Sequence, residues 1–171
     1  MTARIAILMG SDSDYERLEP AVKTLRDFGV EPQVRVLSAH RTPAEALAFA
    51  EGARAAGLRV LLCAAGGAAH LAGVVAAHTS LPVIGIPLDN PPLGGLDALL
   101  ATVQMPGGIP VGTVGVGRGG PVNAALLALR ILALEDAGLA SRYEDFRAAQ
   151  RTKVLEKDQA LQERVSRGSR G

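Results

Sequence analysis

Arg4-Ile5-Ala6-Ile7-Leu8-Met9-Gly10-Ser11-Asp12-Ser13-Asp14 decides how the chain is read. A short aliphatic run ending in glycine and small polar residues is the pattern of a buried strand followed by a helix-capping loop. Residues 15–28 then show helical spacing. The alternation recurs: strand 33–37, helix 43–56, strand 59–64, helix 69–78, strand 82–87, short helix 96–103, strand 110–116 and long helix 122–136. Strands that alternate with helices pair in parallel, because a helical crossover returns the chain in the same direction, and such crossovers are right-handed. The expected fold is therefore α/β, a three-layer doubly wound sheet of five parallel strands. In that architecture ligands bind outside the carboxyl ends of the strands at the switch point, which directs attention to the loops after strands one, two and three.

The chain has 171 residues, a length that suits one compact domain. That domain is expected over residues 1–165, with 166–171 as a mobile polar tail. Hydrophobic residues make up 48% and aromatic residues 3%, so the core must be built from Ala, Val, Leu and Ile. The net charge of +1 comes without a basic stripe, and few rings are present on which bases could stack, which argues against a nucleic-acid partner. Apolar runs fall well short of the roughly 18 residues a membrane span requires, so no membrane association is expected. The single cysteine, Cys63, has no internal disulfide partner, and the N-terminus enters a strand without a signal-peptide pattern; both favour the cytoplasm. From about residue 139 to 165 a charged helical pattern carries only Tyr143, Phe146, Val154, Leu155 and Leu161 as apolar residues. So thin a stripe either packs back on the domain or lies across a neighbouring subunit, and it suits the second better.

Three loops gather chemistry. Gly10-Ser11-Asp12-Ser13-Asp14 puts hydroxyls and amides at a helix N-terminus, which serves either simple capping or phosphate binding. It is not a Walker loop, since no Gly-Lys-Ser/Thr occurs. Ser38-Ala39-His40-Arg41-Thr42-Pro43 places a titratable imidazole beside a permanent cation just before a helix. Such a histidine is either solvated surface or a catalyst, and the switch point favours the second. Ala65-Gly66-Gly67-Ala68-Ala69-His70 follows a strand with no side-chain bulk until His70, which suits either a tight turn or a ligand against the backbone. Glycine-rich segments also end later strands, at 104–110 and 115–121, and the expectation is that all of these share one pocket. Gly115, Gly117 and Gly120 match the dinucleotide fingerprint formally but lack a following strand with its acid, so that reading is rejected. Three histidines and one cysteine on different elements give no metal cluster, and Cys63 inside an aliphatic strand reads as a buried hydrophobe.

Taken in order, Met9-Gly10-Ser11-Asp12-Ser13-Asp14, Ser38-Ala39-His40-Arg41-Thr42-Pro43, Gly66-Gly67-Ala68-Ala69-His70-Leu71, Gln104-Met105-Pro106-Gly107-Gly108-Ile109-Pro110-Val111 and Asn123-Ala124-Ala125-Leu126-Leu127 closely resemble the N5-carboxyaminoimidazole ribonucleotide mutase family, the class I PurE family. The resemblance covers nearly the whole chain, and the Arg41 version of the second block resembles the mutase class. It implies a flavodoxin-like sheet with a projecting C-terminal helix, a homo-octamer, and a pathway link to an ATP-dependent N5-carboxyaminoimidazole ribonucleotide synthase. It implies an isomerase of purine (IMP) biosynthesis that moves a carboxylate from the exocyclic nitrogen to ring carbon four, with no metal and no cofactor. On the same resemblance His40 shuttles the proton, Ser11 and Arg41 hold the phosphate, and Asp14 holds the ribose hydroxyls. Ser38, Gly66, Gly67, Ala68 and His70 surround the ring and carboxylate. Ala72, Cys63, Ala64 and the 89–94 loop depart from the family pattern. The rival readings are a direct aminoimidazole ribonucleotide carboxylase that uses carbon dioxide and a non-catalytic nucleotide-binding module.

Overall fold

The structure, a computed structural model, describes residues 4–168. It divides into two units, one ending at Leu132 and the other beginning at Ala133. In the first, β1 (Ile5–Met9) leads through a 3₁₀ turn (Asp12–Asp14) into α1 (Tyr15–Asp27). Then follow β2 (Gln33–Val36), α2 (Pro43–Gly52), β3 (Val60–Ala65), α3 (Leu71–Ala77), β4 (Val83–Pro87), α4 (Leu96–Val103), β5 (Gly112–Thr113) and α5 (Gly119–Ala133). The strands form a five-stranded parallel sheet in the order β2-β1-β3-β4-β5. Ile7 lies opposite Val34 on one side and Leu62 on the other, which places the switch point at the carboxyl ends of β1 and β3.

Burial explains why aliphatic runs without alternation became strands: β1 and β4 are buried end to end and β3 to its penultimate residue, as in a sheet covered by helices on both faces. Ala6, Leu8, Leu61, Cys63 and Val83 cluster with Ala46 and Ala50 of α2 and Leu71, Ala72 and Val75 of α3. Ile5, Ile7 and Met9 alternate to the opposite face and are equally buried, as are Leu18, Val22 and Leu25 of α1 and Ala125 and Leu129 of α5. The Cys63 thiol, buried in the first cluster, has its pKa pushed up by loss of solvent and stays a neutral hydrophobe.

Gly85, at the middle of β4, has no room for a side chain. A Cβ there would overlap the Thr102 methyl and lie 3.2 Å from Val111 Cγ1 and 3.4 Å from Ala72 Cβ. Thr102 is itself buried and ties down by donating from Oγ1 to the Ala98 carbonyl at 2.7 Å.

The element order is as the sequence implies; most bounds move by a residue or two, and larger shifts occur at the last strand, α2 and α5. The last strand, expected over 110–116, is reduced to Gly112–Thr113: it is an edge strand, Pro110 has no N–H to donate, and one further bond from Val114 N to Gly85 O at 3.2 Å ends the pairing. Helix α2 stops at Gly52 rather than at 56 because glycine weakens a helix interior. Helix α5 starts at Gly119 rather than 122, with Pro121 in its first turn, where a missing N–H costs nothing.

The second unit is one helix, α6 (Ala137–Gly168). Asp136 Oδ1 accepts the Leu139 N–H at 2.9 Å at its start, the Tyr143 and Phe146 rings stand 6.0 Å apart, and Val154, Leu155, Leu161 and Val165 are exposed. Residues 166–168 continue this helix, and the rest of the expected tail, 169–171, lies outside the described residues. Among the described residues no helix is long and apolar enough to cross a membrane.

Candidate active site

The first loop leaves β1 and enters the 3₁₀ turn. Neither Ser11 nor Asp14 caps a helix with its side chain, so the capping alternative is not what these groups do. Instead Ser13 Oγ donates to Ser11 Oγ at 2.9 Å, Ser11 Oγ to Asp12 Oδ1 at 3.3 Å, and the Asp14 N–H to the Ser11 carbonyl at 3.2 Å.

The second loop is held by Ser38 and Thr42. Ser38 is 8% exposed, and its Oγ accepts the backbone N–H groups of His40 at 3.3 Å and Arg41 at 3.1 Å. Thr42 Oγ1 accepts the Ser38 N–H at 2.9 Å. A serine hydroxyl has two acceptor lone pairs and one hydrogen; with both lone pairs engaged, Ser38 keeps its O–H to donate. The Arg41 guanidinium donates from Nη2 to the Gly10 carbonyl and ties this loop to the first.

The third loop turns at Gly67, whose φ of +62° is the left-handed region glycine adopts without a Cβ penalty. It delivers His70 to the start of α3. His40 Nε2 and His70 Nδ1 lie 2.9 Å apart, with the rings edge-on at 90°. At that distance one nitrogen donates and the other accepts, so one proton lies between the rings. The pair can take up one further proton on an outer nitrogen, which is the capacity proton exchange with a ligand requires.

These loops enclose a cavity of about 400 Å³ at the switch point. Of the residues singled out in the sequence, Ser11, Asp14, Ser38, His40, Arg41, Gly66 and Ala68 line it. Gly67 and His70 do not; His70 joins the group through His40. The late glycine segments are also absent from this lining, which corrects the expectation of one shared pocket. Gly117, Arg118 and Pro121 border a different cavity of about 560 Å³, because β5 lies at the sheet edge, two strands from the switch point.

Sequence reasoning did not single out Asn90, which lines the 400 Å³ cavity from the loop after β4. Its carboxamide sits over Gly66, where a Cβ would overlap it, and its Oδ1 accepts from Arg17 Nη1 of α1. Arg17 also pairs with Asp89 at 3.6 Å. The signal available in the sequence was the departure of the 89–94 loop from the family pattern.

Loss of solvent raises the Asp14 carboxyl above its ordinary pKa of 3.8, with Asp12 adding to the rise, against a backbone hydrogen bond at Ser11 and the nearby charges of Arg17 and Arg41. A carboxyl whose pKa is raised on folding costs stability above its folded pKa and costs nothing once both states are protonated. Asp14→Asn is therefore expected to melt higher than the native chain at pH 7. In thermal melts the advantage should fade as pH is lowered below about 4; an advantage that persists there would contradict the burial argument.

A 2-1-3-4-5 parallel sheet with polar loops and an imidazole pair over its switch point defines a flavodoxin-like α/β protein. The family model described as AIR carboxylase matches residues 4–153, and the chain belongs to that family. It is 52% identical over 157 residues to the N5-carboxyaminoimidazole ribonucleotide mutase of Brucella melitensis, covering 92% of this chain and 97% of that protein. The protein of the same name from Escherichia coli K12 is 49% identical over 154 residues, covering 90% and 91%. A crystal structure of Treponema denticola PurE2-S38D superposes with a TM-score of 0.85 at 30% identity, covering 94% of this chain and 99% of that one.

Proposed function

We propose that the protein is an N5-carboxyaminoimidazole ribonucleotide mutase, an isomerase of purine biosynthesis. The observation that carries the proposal is the His40–His70 contact of 2.9 Å at the rim of a cavity lined by Ser11, Asp14 and Arg41, in a chain half identical to proteins of that name. A proton moves from the His40 imidazolium to the exocyclic nitrogen as the nitrogen–carboxylate bond breaks, giving aminoimidazole ribonucleotide and carbon dioxide. The electron-rich ring carbon four then attacks the carbon dioxide, and its proton returns to the imidazole. Atoms and charge balance across the two steps. One group thus serves as acid and then as base, and histidine is the side chain whose ordinary titration range suits both duties.

The remaining residues take positioning parts. Arg41 and Ser11 hold the phosphate, a remote handle whose binding energy orients the ring. Asp14 accepts from the ribose hydroxyls. The Ser38 O–H and the backbone of Gly66 and Ala68 face the ring and carboxylate, with Gly67 turning the loop that presents them and His70 behind His40. Walls of backbone and small side chains keep released carbon dioxide beside carbon four, which raises its effective concentration. The protein works in the cytoplasm as a homo-octamer, fed by an ATP-dependent synthase that makes its substrate. The exposed apolar residues of α6 support that helix as an arm between subunits.

Supplying N5-carboxyaminoimidazole ribonucleotide alone, or aminoimidazole ribonucleotide with bicarbonate, and following ultraviolet absorbance tests the reaction. Efficient turnover of the first substrate is expected; turnover confined to the second would make the protein a direct carboxylase, and none with either would leave only a binding module. Sedimentation mass tests the assembly, and a monomer would refute the arm.

A further inference from the structure

Arg17, Asp89 and Asn90, three side chains that the mutase reading does not use, form a constellation over Gly66. Asn90 Oδ1 faces Arg17, and the assignment follows from chemistry: a guanidinium has only donors, so the oxygen of the carboxamide must turn toward it. The Nδ2 amide is then the end that lies over Gly66, where an added Cβ would meet Nδ2 before any other atom. Asn90 is half-buried and lines the cavity, so this amide presents a hydrogen-bond donor above the glycine loop. Two further features fix it there. The Asn90 N–H donates to the Leu88 carbonyl at 3.0 Å, and Pro91 restricts the preceding backbone to extended conformations. Asp89, at 3.6 Å, anchors the same guanidinium from the neighbouring position in the chain.

We propose that Asn90 is a substrate-binding residue that donates from Nδ2 to the carboxylate of the nucleotide, and that Arg17 is a positioning residue that acts on that carboxylate by holding the Asn90 carboxamide in orientation. The proposal rests on the mutase reading, which puts the carboxylate at the Gly66 end of the cavity and the phosphate at the Ser11 and Arg41 end. A donor that arrives over Gly66 meets the first of these. The glycine is required because any side chain at 66 would take the space the amide occupies.

The test is calorimetric titration with two probes, 4-carboxyaminoimidazole ribonucleotide and aminoimidazole ribonucleotide, which differ by the carboxylate alone. Asn90→Ala should weaken the carboxylated probe about tenfold, the effect of one hydrogen bond to a charged group, and leave the other nearly unchanged. Asn90→Asp, of the same shape, should weaken the carboxylated probe further by setting like charges together. Arg17→Ala should reduce the preference for the carboxylated probe over the other in the native background and leave that preference unchanged in the Asn90→Ala background, and Arg17→Lys should restore part of the loss. Equal weakening of both probes by Asn90→Ala, or additive effects of the Arg17 and Asn90 changes on the preference between the probes, would overturn the assignment. If the native protein binds neither nucleotide, the mutase reading itself fails; if it binds both and Asn90→Ala leaves both affinities intact, only the present inference does.

Discussion

His40→Asn should fold and bind nucleotide as the native chain does, with kcat lowered by about 10²–10⁴-fold, the contribution general acid–base catalysis makes. Asparagine approximates the imidazole in size and can keep a polar contact to His70, but it carries no proton that it can give and take back. The loop around position 40 is held from elsewhere: Ser38 Oγ and Thr42 Oγ1 bond backbone N–H groups, and neither bond involves the imidazole. Ultraviolet-monitored turnover, together with calorimetric titration of 4-carboxyaminoimidazole ribonucleotide, separates the two effects. Undiminished kcat would remove His40 from the chemistry. His70→Asn is a useful companion, because a residue that only shares a proton with His40 should lower kcat by less.

Arg41→Ala should raise KM by about a hundredfold, the scale of losing a charge-assisted, bidentate contact to a phosphate. It should also lower kcat, because a nucleotide anchored at one end only spends less time with its ring aligned. Arg41 has a structural duty too, since its guanidinium bonds the Gly10 carbonyl and joins the first two loops. Arg41→Lys separates the roles: an ammonium keeps the charge but not the planar fork, so a partial recovery of KM is expected. Steady-state kinetics on both variants checks this. A KM within about twofold of native for Arg41→Ala would show that the phosphate is held elsewhere.

The layered fold was legible because local and global signals agree. Residues 5–9, 60–65 and 83–87 are aliphatic without alternation, which only a sheet covered on both faces accommodates, and the helices between them leave parallel pairing as the remaining arrangement. The edge strand was legible in place but not in extent, since pairing there depends on one neighbour and on residues without an N–H or side chain. At the cavity, loops already adjacent in a parallel sheet can be grouped from topology, whereas Ser11, Asp14, Ser38 and Arg41 take their individual roles from the family resemblance. What the sequence hid were the contacts between segments far apart in the chain. The His40–His70 approach spans 30 positions and the Arg17–Asn90 bond 73, and neither has a local periodicity that announces it. The grouping of all glycine-rich segments went too far for the same reason: composition does not say at which end of the strand order a loop will lie.

The crowding at Gly85 has a genetic consequence. Gly85→Ala forces a methyl against that of Thr102, at a cost of about 1–3 kcal/mol for an overfilled core. Thr102→Ser would delete the opposing methyl while retaining the hydroxyl that bonds the Ala98 carbonyl. Revertants selected from a temperature-sensitive Gly85→Ala strain should therefore include second-site changes at codon 102, so that the two positions drift as a pair although 17 places apart in the chain.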